Sequence, residues 1–143
     1  YALSTASVGI ARGALSNVLW FGAQEIGASL TTSSGTYQDI PNAKVSLTLP
    51  VISTVIAIAN GYIVRSGGTT TSMVRLVCGG SPGNEGVHTT SDTSSTMTIP
   101  FTVMYKVELY YGVNDIVVQA ASVGGSTTVY AQHMIVLALK YTV

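Results

Sequence analysis

The sequence predicts an all-β protein: an antiparallel β-sandwich of the jelly-roll kind, preceded by an extended N-terminal arm. Three observations carry that expectation. Eighteen Val, 10 Ile and 18 Thr make 46 of the 143 residues β-branched, and such side chains are stiff at χ1 and fit a pleated surface. The residues that cover solvent-facing helices are scarce, with three Glu, three Lys, three Arg and four Gln. Short apolar runs recur at intervals of roughly 8–15 residues, separated by Gly, Ser, Asn and Pro, which reads as about eight strands.

Residues 1–27 stand apart from the rest. Leu3, Val8, Ile10, Leu15, Val18, Leu19, Trp20 and Phe21 are interleaved there with Ala, Ser and Gly. An extended arm competes with a helix over residues 7–21, or a shorter one over 14–24, but Gly9 and Gly13 would each cost a helix about 1 kcal/mol against Ala. In either form the segment must find a surface on which to bury its apolar side chains. We therefore divide the chain into an assembly arm, 1–27, and a sandwich domain, 28–143.

The strand rhythm becomes regular from Ala28. Residues 29–32 and 36–40 read as a strand pair or one interrupted strand. Residues 44–49 alternate strictly, with Val45, Leu47 and Leu49 on one face and Lys44, Ser46 and Thr48 on the other, as in a half-buried strand. Pro50 ends that run. Residues 51–64 are the most apolar stretch, with Asn60-Gly61 as a turn or bulge. A loop at 66–71 leads to a strand at 73–78, and Gly79 to Gly86 reads as a turn. Strands at 87–90 and 97–109 flank a polar run, 91–96. Residues 116–121 and 127–139 read as a hairpin closed by Val123, Gly124, Gly125 and Ser126. Alternation places Val45, Leu47, Leu49, Val55, Ile58, Val74, Leu76, Ile116, Val118, Ile135 and Leu137 in the core.

Composition excludes several functions. Six Lys+Arg balance six Asp+Glu, and charged residues are only 8% of the chain. A nucleic-acid partner needs a basic face, which this chain lacks. Near-zero net charge also removes repulsion between copies, so self-association is expected. No run reaches the roughly 18 apolar residues of a membrane-spanning helix. The single Cys78 cannot form an intrachain disulfide and reads as a small buried hydrophobe. Position 1 is Tyr rather than Met, which fits a removed leader and an extracellular location, at a cell surface or on a virion.

Nothing in the pattern predicts catalysis, a cofactor or a metal. Glu25, Asp39, Glu85, Asp92, Glu108 and Asp115 lie on separate elements, with no spacing that implies an acid/base pair. One Cys with two distant histidines, His88 and His133, does not supply a zinc set, and no Asp-rich calcium loop is present. A Gly-x-Ser-x-Gly elbow is missing, and residues 79–86 lack the Lys and helix of a phosphate cradle. Tyr105, Tyr110 and Tyr111, with Lys106 between, fit either a sugar-stacking surface or a subunit interface; the interface is preferred because Tyr is enriched there.

Residues 28–141 resemble the trimer-forming jelly rolls of the TNF/C1q-like type found in phage and microbial surface proteins. The matching residues are Tyr37, Asp39, Ile40 and Pro41, the alternating strand ending at Leu49-Pro50, Arg75-Leu76-Val77 and Gly79-Gly80. Leu109, Gly112, residues 116–119, Gly124-Gly125 and residues 127–139 complete the match. Tyr110-Tyr111-Gly112 stands where related modules often carry an Ala-Gly turn, and the first 27 residues lie outside the resemblance. It implies a jelly roll that assembles with itself.

The expected function is a self-assembling extracellular structural subunit, pilus-like or of another surface filament. Its partners are copies of itself, joined by an arm inserted into the neighbour through Leu3, Val8, Ile10, Leu15 and Trp20. An arm of 20 extended residues reaches about 66 Å, and adding it to a neighbour's sheet is donor-strand complementation. The alternatives are a capsid or decoration protein forming trimers on a virion, and a glycan- or receptor-binding module using loops 66–71, 79–86 and 91–96.

Overall fold

The structure, a computed structural model, describes residues 18–66, 68–90 and 96–140, with the side chains of 20, 66 and 87–90 excepted. Eight strands form two antiparallel four-stranded sheets: β1 (Val18–Thr32), β2 (Gln38–Leu49), β3 (Ser53–Ser66), β4 (Thr70–Cys78), β5 (Ser81–Thr90), β6 (Thr96–Leu109), β7 (Gly112–Val123) and β8 (Thr127–Lys140). The first sheet runs β1-β8-β3-β6 and the second β2-β7-β4-β5. Pairing follows one rule: β4 with β5, β3 with β6, β2 with β7 and β1 with β8. The chain is thus a single long ribbon, doubled at the β4–β5 turn and rolled until β8 meets β3 and β7 meets β4. That is a jelly roll, as the composition and spacing predict.

Burial follows the two-residue period. In β2, Val45, Leu47 and Leu49 point inward while Lys44, Ser46 and Thr48 face water. β4 alternates along its whole length, with Val74, Leu76 and Cys78 inside. Ile116 and Val118 of β7 and Val55 of β3 complete the part of the expected core that is buried.

Three expected core residues face outward instead. Met134, Val136 and Ala138 fill the core from β8, while Ile135 is 38% exposed and Leu137 is half-buried on the outer side. For Ile135 and Leu137 the cause is a bulge. Asn60 pairs with His133 and Gly61 with Ala131, so Gln132 is an extra residue in β8, and the phase set by Val129 and Ala131 reverses beyond it. A one-residue slip moves every later side chain to the opposite face. In β3 the inward set is Val55, Ala57, Ala59 and Ile63, leaving Ile58 half-buried on the outer face. Gly61 makes the bulge possible, because a Cβ there would collide with the Tyr130 carbonyl oxygen.

Other elements also differ from expectation. Only Gly79-Gly80 form a turn, at φ 56° and 83°, and Ser81 to Thr90 continue as β5. Pro82 is tolerated because β5 is an edge strand, where a missing N–H leaves no ladder bond unmade. Residues 116–121 and 127–139 are not a hairpin, since β7 lies in the second sheet and β8 in the first. The Gly124-Gly125 turn therefore carries the chain across the sandwich. The boundary expected at residue 28 falls inside β1, where residues 21–25 pair with β8 as strand rather than helix, and Leu19, Ile26 and Leu30 reach the core. Residues 1–17 lie outside the described residues.

Candidate functional site

The outer face of the first sheet is the surface that its solvent position does not explain. Register aligns its side chains in rows across β1, β8, β3 and β6. One row is Phe21, Leu137, Ile56 and Lys106; the next is Ala23, Ile135, Ile58 and Met104. Phe21 is 66% exposed and Met104 61%. A polar row follows, Glu25, His133, Asn60 and Thr102, with His133 Nδ1 and Asn60 Oδ1 3.2 Å apart. Beyond it Tyr62 and Tyr130 stack across the strands, ring centroids 4.6 Å apart, beside Pro100. Stacked aromatic pairs of this kind stiffen a sheet face as well as covering it. The sequence hides this patch because β3 and β8 are apolar on both faces, so periodicity cannot show that one apolar face has no partner. The available signal was the double-sided run itself.

The outer face of the second sheet is chemically different. Lys44 Nζ lies 3.2 Å from Asp115, which also accepts from the Ser46 hydroxyl at 2.5 Å. The Ser46 hydrogen bond, then Lys44, holds the Asp115 carboxyl below the usual carboxylate range. Further along, Gln119 donates to Asp39 and accepts from Arg75 Nε. The Tyr37 ring lies over the Arg75 guanidinium, 3.9 Å from its carbon to the ring centroid, and the Tyr37 hydroxyl donates to Glu85. Burial, then that carboxylate, pushes the Tyr37 hydroxyl pKa up. These groups satisfy one another across all four strands, and Tyr37 fixes the entry to β2 on the sheet. They leave a water-compatible face.

A third surface lies at one end of the sandwich, where the β2–β3 and β6–β7 turns meet. Val51 and Ile52 from the first turn stand near Tyr110, Tyr111 and Val113, the last three each at least 73% exposed. A cleft of about 230 Å3 opens there, lined by Ile52, Glu108, Leu109 and Tyr110.

The expected interface residues separate in this frame. Tyr110 and Tyr111 belong to the end surface, whereas Tyr105 is half-buried on the inner side of β6, packed against the core and under Gly83. Trp20 lies in β1 beside Ala138, with its side chain outside the described residues. Leu3, Val8, Ile10 and Leu15 also lie outside them. Cys78 is fully buried, and burial pushes its thiol pKa up to about 12. Arg65 is buried at the far end of β3, where it donates to the Gly68 carbonyl at 2.6 Å. Among the described residues, no three of His, Cys, Asp and Glu converge, and no helix is long and apolar enough to cross a membrane.

No protein-family model matches the chain, and no curated protein does. Solved structures match it in shape. Eiger TNF from S. frugiperda superposes with a TM-score of 0.53 at 9% identity, over 89% of this chain and 95% of that one. Dimeric latent PorU from Porphyromonas gingivalis gives 0.51 at 11% identity, over 87% of this chain, which spans only 13% of PorU. A family 35 carbohydrate binding module from an environmental isolate is similar at 18% identity, over 87% of this chain and all of that one, with a TM-score of 0.41. At these identities the likeness concerns the fold, and the chain is a jelly-roll module.

Proposed function

We propose that this chain is a structural jelly-roll subunit that associates with copies of itself through the outer face of its first sheet, in a closed oligomer on a virion or cell surface. One observation carries the reading: Phe21, Met104 and Ile135 stand exposed on an apolar sheet face, in a chain with no net charge to keep copies apart. Four strands spaced about 4.8 Å, with four rows about 6.8 Å apart, give a footprint near 500 Å2. That is somewhat below the roughly 800 Å2 per partner of a standard interface, so contacts outside these rows would add to it. Resemblance to trimer-forming jelly rolls supports three subunits.

Neither four-stranded sheet has a vacant interior position, so an arm from a neighbour would add at a free edge or lie against the sandwich rather than fill a missing strand. This favours a closed oligomer, with arms as laces, over a pilus-like filament built by strand donation. The role is structural rather than catalytic, in keeping with the few titratable groups of the sequence. Sedimentation velocity of the purified chain tests the reading. One species of three subunits is expected; a monomer throughout the micromolar range, or an open polymer, overturns it.

A further inference from the structure

We infer that Phe21 of one copy seats its ring in the apolar cleft of the next, joining subunits head to tail in a closed ring. The inference rests on the self-association just proposed. Among the described residues Phe21 is the most exposed large hydrophobic on the outer face of the first sheet, at 66%. It stands on the β1 edge, and the cleft opens beside β6, the opposite edge of that sheet. A knob on one edge and a hole on the other make a heterologous contact, which closes into a ring when the rotation allows.

Size identifies the occupant. An apolar cavity of about 150 Å3 accepts a benzene ring, so a cleft of about 230 Å3 holds one benzyl side chain and nothing much larger. Ile52, Leu109 and Tyr110 give that ring apolar and aromatic walls. Height agrees as well. The row of Phe21 ends at Lys106, and the next row, from Val18 across to Glu108, borders the cleft. Knob and cleft therefore differ by one row, about 6.8 Å. Three sheets set with their outer faces toward a common axis meet at about 60°. A side chain standing on β1 then leans over β6 of the next copy.

Phe21 cannot fill the cleft of its own subunit. Pairing with Leu137 fixes it in β1, and β6 is the far edge of the sheet, about 14 Å away at ordinary strand spacing. A benzyl group extends only about 6 Å from its Cα. Charge supports the contact between copies. Successive antiparallel pairings make β1 and β6 run in opposite directions, and a ring keeps that relation between neighbours. With Phe21 beside Glu108 of the next copy, Glu25 falls level with Met104 and diagonal to Lys106, within reach of its ammonium. Glu25 and Lys106 are exposed, and neither forms an ion pair among the described residues.

The test is photo-crosslinking of the full chain with Phe21→p-azidophenylalanine, which keeps the ring. Isotopically light and heavy copies are folded together, irradiated and digested. Mixed-label products joining position 21 to Ile52 or to residues 108–110 are expected. Products of a single label only, or joined to β1 or β8 of the other copy as in a twofold face-to-face dimer, overturn the inference. Sedimentation over a dilution series gives a second readout. Phe21→Ala, at an exposed position, should raise the dissociation midpoint about 30-fold, as for an interface hot spot. Lys106→Glu should raise it about fivefold, as for an exposed ion pair turned repulsive, and Glu25→Lys in the same chain should restore it. If the parent is an oligomer and Phe21→Ala shifts its midpoint less than about threefold, the knob contact fails while self-association stands. A monomeric parent defeats both.

Discussion

Met104→Glu is the most direct probe of the apolar sheet face. Met104 projects outward from β6 beside Ile58, and 61% of its surface is exposed, so the isolated subunit has little to lose by the change. In an assembly that covers the face, the balance differs. Full burial of a Met contributes roughly 1.5–3 kcal/mol, and the part still exposed accounts for about 1–2 kcal/mol. Placing a carboxylate in the contact adds a desolvation penalty of several kcal/mol unless a cation meets it. A total near 4 kcal/mol per subunit weakens association about 1,000-fold. Sedimentation velocity over a dilution series reads this as a shift in dissociation midpoint, with Thr48→Glu, exposed on the second sheet, as the matched control. Thermal melting under dissociating conditions should show both variants folding like the parent. If Met104→Glu moves the midpoint by less than about tenfold while remaining folded, the first-sheet face is not the interface.

Three further outcomes follow from named groups. Gly61→Ala drives a Cβ into the Tyr130 carbonyl oxygen, and no rotamer relieves it. A loss of about 3 kcal/mol is expected, lowering the melting temperature by about 10 °C; a shift under about 2 °C would show that the bulge relaxes freely. Asp115 has its folded pKa lowered by Ser46 and Lys44. Its ionised form therefore stabilises the fold above the unfolded carboxylate pKa, and that contribution is lost as pH falls through the folded value. Asp115→Asn should be less stable than the parent near neutrality, and the urea midpoints should converge in acid; a constant gap would contradict this. Cys78, fully buried with its thiol pKa near 12, should react with a thiol reagent at pH 8 only as fast as the sandwich opens, and at once in denaturant. Stoichiometric labelling of the native protein within seconds would place Cys78 at the surface.

How far this architecture was legible depended on contrast within each strand. Lys44, Ser46 and Thr48 alternate with Val45, Leu47 and Leu49, so β2 declared its inner face, and it folds that way. Ile58 and Ile135 sit among equally apolar neighbours, and a bulge at Gln132 reversed the phase that simple alternation assigned. Gly79 to Gly86 looked like one long turn because Gly, Ser, Pro and Asn are turn residues. The free edge beside β4 nevertheless accepts them as β5. The Gly124-Gly125 turn was placed correctly, but local sequence does not state whether a turn returns a strand to its own sheet or passes it to the opposite one. The apolar patch was hidden for a related reason, since exposure is a property of the neighbours a strand lacks. Tyr110 and Tyr111 were legible as surface residues; Tyr105, at inward parity on β6, was not distinguished from them by type.

The ribbon that doubles at β4–β5 also governs when this chain can fold. Val18 pairs with Leu139 and Thr32 with Thr127, so β1 waits for a partner that is made last. β3 borders β6 and β8, and therefore stays without neighbours until the second half of the chain exists. Among these pairings only β4 with β5 joins consecutive strands, which makes that hairpin the natural nucleus, with later pairs closing outward from it. Such non-local pairing slows folding, because long loops must close before their contacts form. During synthesis β3 therefore displays Ile56 and Ile58 alongside Val55 and Ala57, apolar on both sides and unpaired, which is the condition for aggregation on the ribosome. Arrival of β8 between β1 and β3 pairs the second edge of β3, whose inner face packs on the opposite sheet. A nascent chain halted before Thr127 would hold every described strand but β8, the one that joins β1 to β3.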